Sequence, residues 1–474
     1  MIGTIAKKEL VDAWRDGRFR VGAVLVLVLL VVAGLLARQQ VARDTAEREA
    51  ATALERKNWV EQGNKNSHSA GHYGVNVFKP SSPLAVFDRG IEPFVGTTVF
   101  LEAHRQNQTA FLPAQDATAM RRFGELSAAL ALQVLVPLLV ILLAFGSLAG
   151  ERESGTLRQT LSLGVAPRSL VFGKALGIGA AIALLLVPAG VVLAFLLSRA
   201  AGSAADGTWA RAGWLAGVYG AYIAVFVALS VAVSASTRTS RSALTILLAV
   251  WAMNCIVAPR LASDIVHGQL PMPKLAEFEI EMQKDVMEGL DGHDARSKQI
   301  EDFTKKTLQE HGKNSVDQLP FNFQGLVMLE SERLASVVFD HHFGKLWDRI
   351  QEQDRAVVWT GLAAPMLALR SASMAFAGTD FAHHRRFARA AEDHRREFVR
   401  LLNEDLMNNA RPGDHGYSAG RELWESLPQF QLAVAPVDEA VRGARPALIV
   451  LAAWLLASLA VLGWSATRLR AVVA

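Results

Sequence analysis

Hydrophobic positions in this chain gather into long blocks rather than short alternating patches. Apolar runs occupy 21–37, 126–149, 171–198, 212–234, 242–258 and 446–466. A helix needs about 20 such residues, rising 1.5 Å each, to cross roughly 30 Å of hydrocarbon. The pattern therefore predicts six membrane-spanning helices. The run at 21–37 follows a long polar start and has no small-residue cleavage site, so it reads as a retained anchor rather than a signal peptide. A further apolar stretch, 357–377, carries Arg370 inside it and Pro365 in its first half. A central Arg is costly in lipid, so this stretch is expected to be a buried or surface-lying helix.

Between the blocks the period changes. In 1–20, Ile2, Ile5, Leu10 and Trp14 recur at helical spacing among Lys7, Lys8, Glu9, Asp12 and Arg15. This is the pattern of an amphipathic helix lying in the membrane interface. Residues 38–125 form a first insertion, helix-prone over 42–60 and then rich in Gly and Pro. The loop 199–211 is short, so the third and fourth spans form a hairpin, and 235–241 is another tight turn. Residues 259–445 form a second, larger insertion that reads as mostly helical. Within 379–408, Phe387, Ala391, His394, Phe398, Leu401 and Leu402 share a face, and Asp380 is placed to cap that helix. Helices are also expected over 326–353 and 277–309, with loop over 413–436. The fold class is thus an all-α membrane protein with a mostly helical extracytoplasmic domain.

Charge orients these pieces. Lys and Arg accumulate in the short loops on the cytoplasmic side. With the N-terminus inside, the inner pieces include 1–20, 150–174, 234–242 and 465–474. They hold thirteen Lys and Arg against five Asp and Glu, while the outer pieces are net acidic. The net charge of +4 is therefore a topology signal, and no nucleic-acid partner is expected. Both termini, including the tail 467–474, fall in the cytoplasm, and the protein is expected in the bacterial inner membrane. The lone cysteine, Cys255, excludes an intrachain disulfide and reads as packing.

Candidate chemistry is sparse. No Gly-x-x-x-x-Gly-Lys-Ser/Thr phosphate loop occurs; Gly173-Lys174 is the nearest approach and has Arg168 where the first glycine belongs. No Gly-x-Ser-x-Gly elbow frames a serine, so no catalytic residue is assigned. The centres of the spans lack ionisable residues and offer only Gln133, Ser147, Thr245, Asn254 and Ser458. Ion-coupled carriers usually keep charge near the midplane, so energy must enter from elsewhere. All twelve histidines lie in the two insertions, among them His68, His72, His104, His341, His342, His383, His384 and His394. Their spacing matches no known ligand set and no thiolate accompanies them, so no metal site is expected. Gly173-x-x-x-Gly177 and Gly213-x-x-x-Gly217 allow close helix approach, within the chain or to a second copy.

The second apolar run ends abruptly at Glu151-Arg152-Glu153-Ser154-Gly155-Thr156-Leu157-Arg158. Both charge signs suit docking on a protein, Gly155 permits a tight turn and Leu157 can anchor a short helix. This segment, 150–170, together with Ile5-Ala6-Lys7-Lys8-Glu9-Leu10, resembles the ABC-2 type permeases. His72-Tyr73-Gly74, Phe78-Lys79-Pro80, Leu101-Glu102-Ala103-His104 and Ala377-Gly378-Thr379-Asp380 resemble a bacterial subgroup with large outer insertions after spans one and five. The resemblance implies a type V exporter-like arrangement of six spans. It implies an elbow helix at the N-terminus, carrying Lys7, Lys8, Glu9, Leu10 and Trp14. It also implies a coupling helix, carrying Glu151, Arg152, Glu153, Gly155, Thr156, Leu157 and Arg158, that meets two copies of an ABC ATPase. ATP and Mg would then sit on that partner, with no cofactor on this chain. A second permease chain, identical or paralogous, is implied, and a periplasmic client is conceivable. The expected role is the membrane subunit of an exporter for an amphipathic or lipid-like substrate. The alternatives are a mechanotransmission subunit that moves its outer domain, or a membrane-anchored binding module.

Overall fold

A computed structural model describes the chain except for residues 114, 116–126, 201–206, 291, 293, 294, 413, 415 and 471–474. The start of the second span at 126, most of the short outer loop and the end of the tail therefore lie outside the described residues. Among those described, six helices are long and apolar enough to cross a membrane. They are α2 (Gly17–Val60), α4 (Ala128–Ala144, continued by α5, Ala149–Glu153), α7 (Pro167–Ala200), α8 (Thr208–Ser236), α9 (Ser240–Ala252) with its continuation, and α17 (Val437–Arg470).

Several helices run past the apolar blocks that announced them. No Gly or Pro follows Gly34 in α2, so nothing stops the helix at the membrane edge, and it continues as one rod to Val60. The fifth span does not end at 258. It passes through a π-helical turn at Met253–Val257 into α10 (Ala258–Gln269). The sixth begins at Val437 rather than 446 and carries Pro446 inside it.

The amphipathic start is α1 (Ile2–Arg15). It lies along the inner end of α7. A Cβ on Gly173 would come 2.8 Å from Ile5 Cβ, and one on Gly177 would come 2.6 Å from Glu9 Cβ and 2.7 Å from the Ala6 carbonyl. The first glycine pair thus serves a contact within the chain. The second shows no such contact: among the described residues nothing lies within 4 Å of a Cβ on Gly213 or Gly217.

The spans share one hydrophobic core, which Val358 of the second insertion reaches and two further outer pieces enter. One is the turn around Leu84 and Phe87 from the first insertion. The other is α14 (Pro365–Ala377), the stretch whose Arg370 argued against crossing. Its Ala368, Leu369, Ala372 and Phe376 are fully buried, while Arg370 is exposed. A polar chain threads this packing. Asp88 accepts from Ser373, whose hydroxyl lies 3.0 Å from that of Tyr219, and Gln133 donates to Tyr219 at 2.8 Å. Tyr222 donates to the Gln133 carbonyl, and Asn254 in the π turn bridges Tyr222 and the Met366 backbone N–H. Of the mild polar residues of the spans, Gln133 and Asn254 are thus satisfied within this chain of bonds, while Thr245 and Ser458 donate to carbonyls of their own helices.

Above the spans, α3 (Ser67–Tyr73) and a two-stranded antiparallel sheet, β1 (Val75–Phe78) with β2 (Thr98–Leu101), pack on helices of the second insertion. These are α11 (Leu275–Glu288), α12 (Arg296–Glu310), α13 (Phe323–Thr360) and α15 (Phe381–Asn409), followed by the short α16 (Arg421–Ser426). Asp380 caps α15 as its position suggests, accepting from the His383 N–H. His383 also contacts the carboxylate through Nδ1. Burial alone would raise the Asp380 pKa; the His383 contacts outweigh it and hold the carboxyl below its usual range. The expected shared face of this helix is real for Phe387, Ala391, Phe398 and Leu402, all fully buried.

Candidate functional site: the segment after the second span

The chain leaves the second span through two short helices, α5 and α6 (Thr156–Ser162). Gly155 lies between them at φ 79°, in the left-handed region that favours glycine. It opens α6 at an angle that drives Leu157 into the core, where it is 3 % exposed. Ser154 and Thr156 close the turn through their hydroxyls, 2.9 Å apart, and Thr156 also donates to the Glu151 carbonyl.

The charged residues of this segment divide into two groups. Arg152 turns inward. Its guanidinium donates to the Ala235 carbonyl at 2.7 Å and to that of Thr237, capping the C-terminal end of α8. Those carbonyls lack helical partners of their own, and a cation there also suits the helix dipole. A guanidinium remains charged at any physiological pH, so the cap is a cation throughout. Glu153 accepts from Ser240 at 2.6 Å, at the first residue of α9. Glu151 pairs with Lys174 at 2.8 Å, and Lys174, itself 2 % exposed, also pairs with Glu9 of α1. Three of the residues expected to face a partner thus tie the segment to spans three, four and five and to the elbow.

Glu153 remains exposed despite its bond to Ser240. Thr156, Arg158 and Gln159 are exposed, and Leu163 at the end of α6 is 85 % exposed. Leu163 was not singled out from the sequence. The signal available was an apolar residue next to Gly164, at the tip of an otherwise polar turn. On the elbow, Lys7 and Lys8 are exposed, Lys8 pairing with Asp12 at 3.0 Å, while Leu10 is half-buried. Trp14 sits 42 % exposed with its ring edge-on to Phe19, at a position where an amphipathic ring suits the membrane–water boundary.

The amphipathic α1 is thus clamped to α7, and α7 in turn to a short, partly exposed helix pair. Residues 3–319 match the ABC-2 family transporter protein, which is about two thirds of the chain. The chain belongs to the ABC-2 transporter family. The match takes in the elbow, the first five spans and the start of the outer domain. Residues 276–433 also match a domain of unknown function (DUF3526), which covers most of the second insertion. No curated protein matches the chain. As an ABC-2 permease it is a multi-pass membrane subunit of a transporter, and the family implies an ATPase partner.

Proposed function

We propose that this permease is the membrane subunit of an exporter for an amphipathic or lipid-like substrate, in the bacterial inner membrane with both termini cytoplasmic. Two permease chains, identical or paralogous, would work with two ATPase subunits that carry ATP and Mg. The observation that carries this reading is the outward tip of the coupling segment, Arg158, Gln159 and Leu163, set on a base clamped by Lys174 and Arg152. A push on the tip reaches the elbow and three spans at once. The substrate class rests on a cleft of about 1000 Å³ between the spans. Its walls include Leu30 of α2, Ala183 and Leu193 of α7, Leu215 and Ile223 of α8, and Leu459 of α17. Such a surface offers few polar partners and favours acyl chains over ions. The open Gly213–Gly217 face supports a place for the second permease, since small residues allow close approach in lipid.

The test is a double variant, Arg158→Glu with Leu163→Glu, in the full complex with its ATPase. Both side chains are exposed, so the permease should fold and insert normally. The ATPase should no longer co-purify, and accumulation of a fluorescent lipid analogue in inverted vesicles should fall at least tenfold. Unchanged co-purification would remove the docking assignment.

A second reading, mechanotransmission, is favoured by one feature: the unbroken α2 rod. Its outer end is held by Arg56 and Trp59, which donate to carbonyls at the end of α16. Here ATP turnover would move the outer domain against a periplasmic client. ATP-dependent accumulation of any amphipath in inverted vesicles supports export. Its absence, with ATP turnover intact, supports mechanotransmission.

A further inference from the structure

Three of the histidines that sequence spacing left unconnected meet in the outer domain. His68 and His72 stand one turn apart on α3, so both rings project from one face. His104 follows β2 and is brought to them by the Ala103 N–H, which donates to the Gly71 carbonyl at 2.9 Å. The His68 Nε2 lies 3.2 Å from the Nε2 of His72 and 3.2 Å from that of His104. The ring centroids are 4.9, 5.0 and 5.2 Å apart, close to a three-fold arrangement.

The far side of two rings is fixed. His68 Nδ1 is 2.8 Å from Asn403 Oδ1, an acceptor, so its proton sits on Nδ1. His104 Nδ1 is 2.7 Å from Glu332 Oε1, an acceptor only, so its proton belongs on Nδ1 likewise, although the contact lies off the line of a good hydrogen bond. The same carboxylate accepts from the His104 backbone N–H at 2.6 Å, and its other oxygen accepts from Arg395 at 2.9 Å. In their neutral forms, both rings then aim Nε2 lone pairs at each other across 3.2 Å. That contact is repulsive unless a cation sits between them. His104 also holds φ 65°, a rare backbone state for a residue with a side chain, of the kind that collects at functional sites.

The distances choose the cation. A first-row metal bound at about 2.0–2.1 Å in tetrahedral geometry separates its nitrogen ligands by roughly 3.3 Å. A ligating His characteristically gives its other nitrogen to a carboxylate or amide, as His104 does to Glu332 and His68 to Asn403. We propose that His68, His72 and His104 bind one divalent transition-metal ion of the zinc type through their Nε2 atoms. His72 is exposed, so the fourth position opens to solvent and to a donor atom brought from it. Because Glu332 and Asn403 belong to the second insertion, the ion also joins the two outer insertions. This site stands apart from the transport reading and does not depend on it.

The full chain, purified in detergent and stripped with chelator, is titrated with Co²⁺ and then Zn²⁺. One Co²⁺ per chain should bind with the intense visible absorption of four- or five-coordinate cobalt, and Zn²⁺ should bleach it. His72→Ala removes an exposed ring, so the metal-free protein should melt at the wild-type temperature. Its Co²⁺ affinity should fall at least a hundredfold, and the rise in melting temperature with Zn²⁺ should vanish. Glu332→Gln, which keeps the three ligands, should weaken binding 10–100-fold. Cobalt bound without the visible bands, or with affinity unchanged in His72→Ala, would overturn the site.

Discussion

At the residue scale, Lys174 decides how the inner face holds together. Its ammonium is almost wholly buried and carries two carboxylates, Glu9 from 165 residues earlier in the chain and Glu151 from 23 earlier. Removing one member of a buried ionic group leaves the others desolvated and unpaired, which costs about 3–5 kcal/mol. Lys174→Met should therefore lower the thermal unfolding midpoint in detergent markedly. Adding Glu9→Gln and Glu151→Gln should restore much of the loss, because a neutral set of similar shape leaves no charge stranded. A single variant as stable as the wild type would show that the cluster is not holding the elbow. Some of this was legible in the sequence. Gly155 before a polar, helix-forming stretch marks a turn, and Leu157 is the first apolar residue after it, so the anchor followed. The direction of Glu151 and Arg152 did not follow, because composition gives a side chain its charge and not its bearing. Arg152 faces inward because the end of α8 leaves carbonyls without partners, a need visible only once the two ends are adjacent.

At the element scale, the two glycine pairs make a controlled comparison. They share one motif and differ in surroundings. Gly177→Leu must displace backbone as well as side chain, since the Ala6 carbonyl itself is within 2.7 Å of the new Cβ. Gly213→Leu meets nothing within its own chain. The expected outcome is that Gly177→Leu releases α1 from α7, read as faster proteolysis near the N-terminus and altered Trp14 fluorescence. Gly213→Leu should leave both unchanged in the detergent-solubilised single chain. Equal effects would contradict the packing described here. The sequence showed both motifs and could not choose between them, because small residues permit close approach without naming the neighbour. The spans were legible for a simpler reason: hydrocarbon demands length and apolarity, and both can be read directly. The π turn was not, as Met253–Val257 carries no breaker. Within it, Asn254 bridges Tyr222 and Met366, two partners far away in sequence. The histidine cluster escaped for a related reason, since it is assembled by a loop-to-helix hydrogen bond rather than by spacing.

At the scale of the whole molecule, α2 is the element that touches both ends. Its 44 residues measure roughly 66 Å at 1.5 Å each. Its inner end follows the elbow directly, with only Asp16 between, and Asp16 caps it. Its outer end is clamped by Trp59, buried between Phe398 of α15 and Trp424 of α16. A helix of this length bends only gently unless a proline or a π turn interrupts it, and α2 has neither, so under the mechanotransmission reading it would carry displacement at the elbow to the outer domain. Ala42 lies on its exposed side, just beyond the apolar run. Ala42→Pro removes one backbone hydrogen bond there and kinks the rod at a cost of about 3 kcal/mol. If α2 transmits motion, spin labels on the inner and outer ends of the wild-type complex should change separation when ATP is added. In Ala42→Pro that change should be lost while ATP turnover continues. Were the separation to respond equally in both proteins, the outer domain would be following another element. The buried α14 would then be the next to test, because it packs against both α8 and α17 from the outer side.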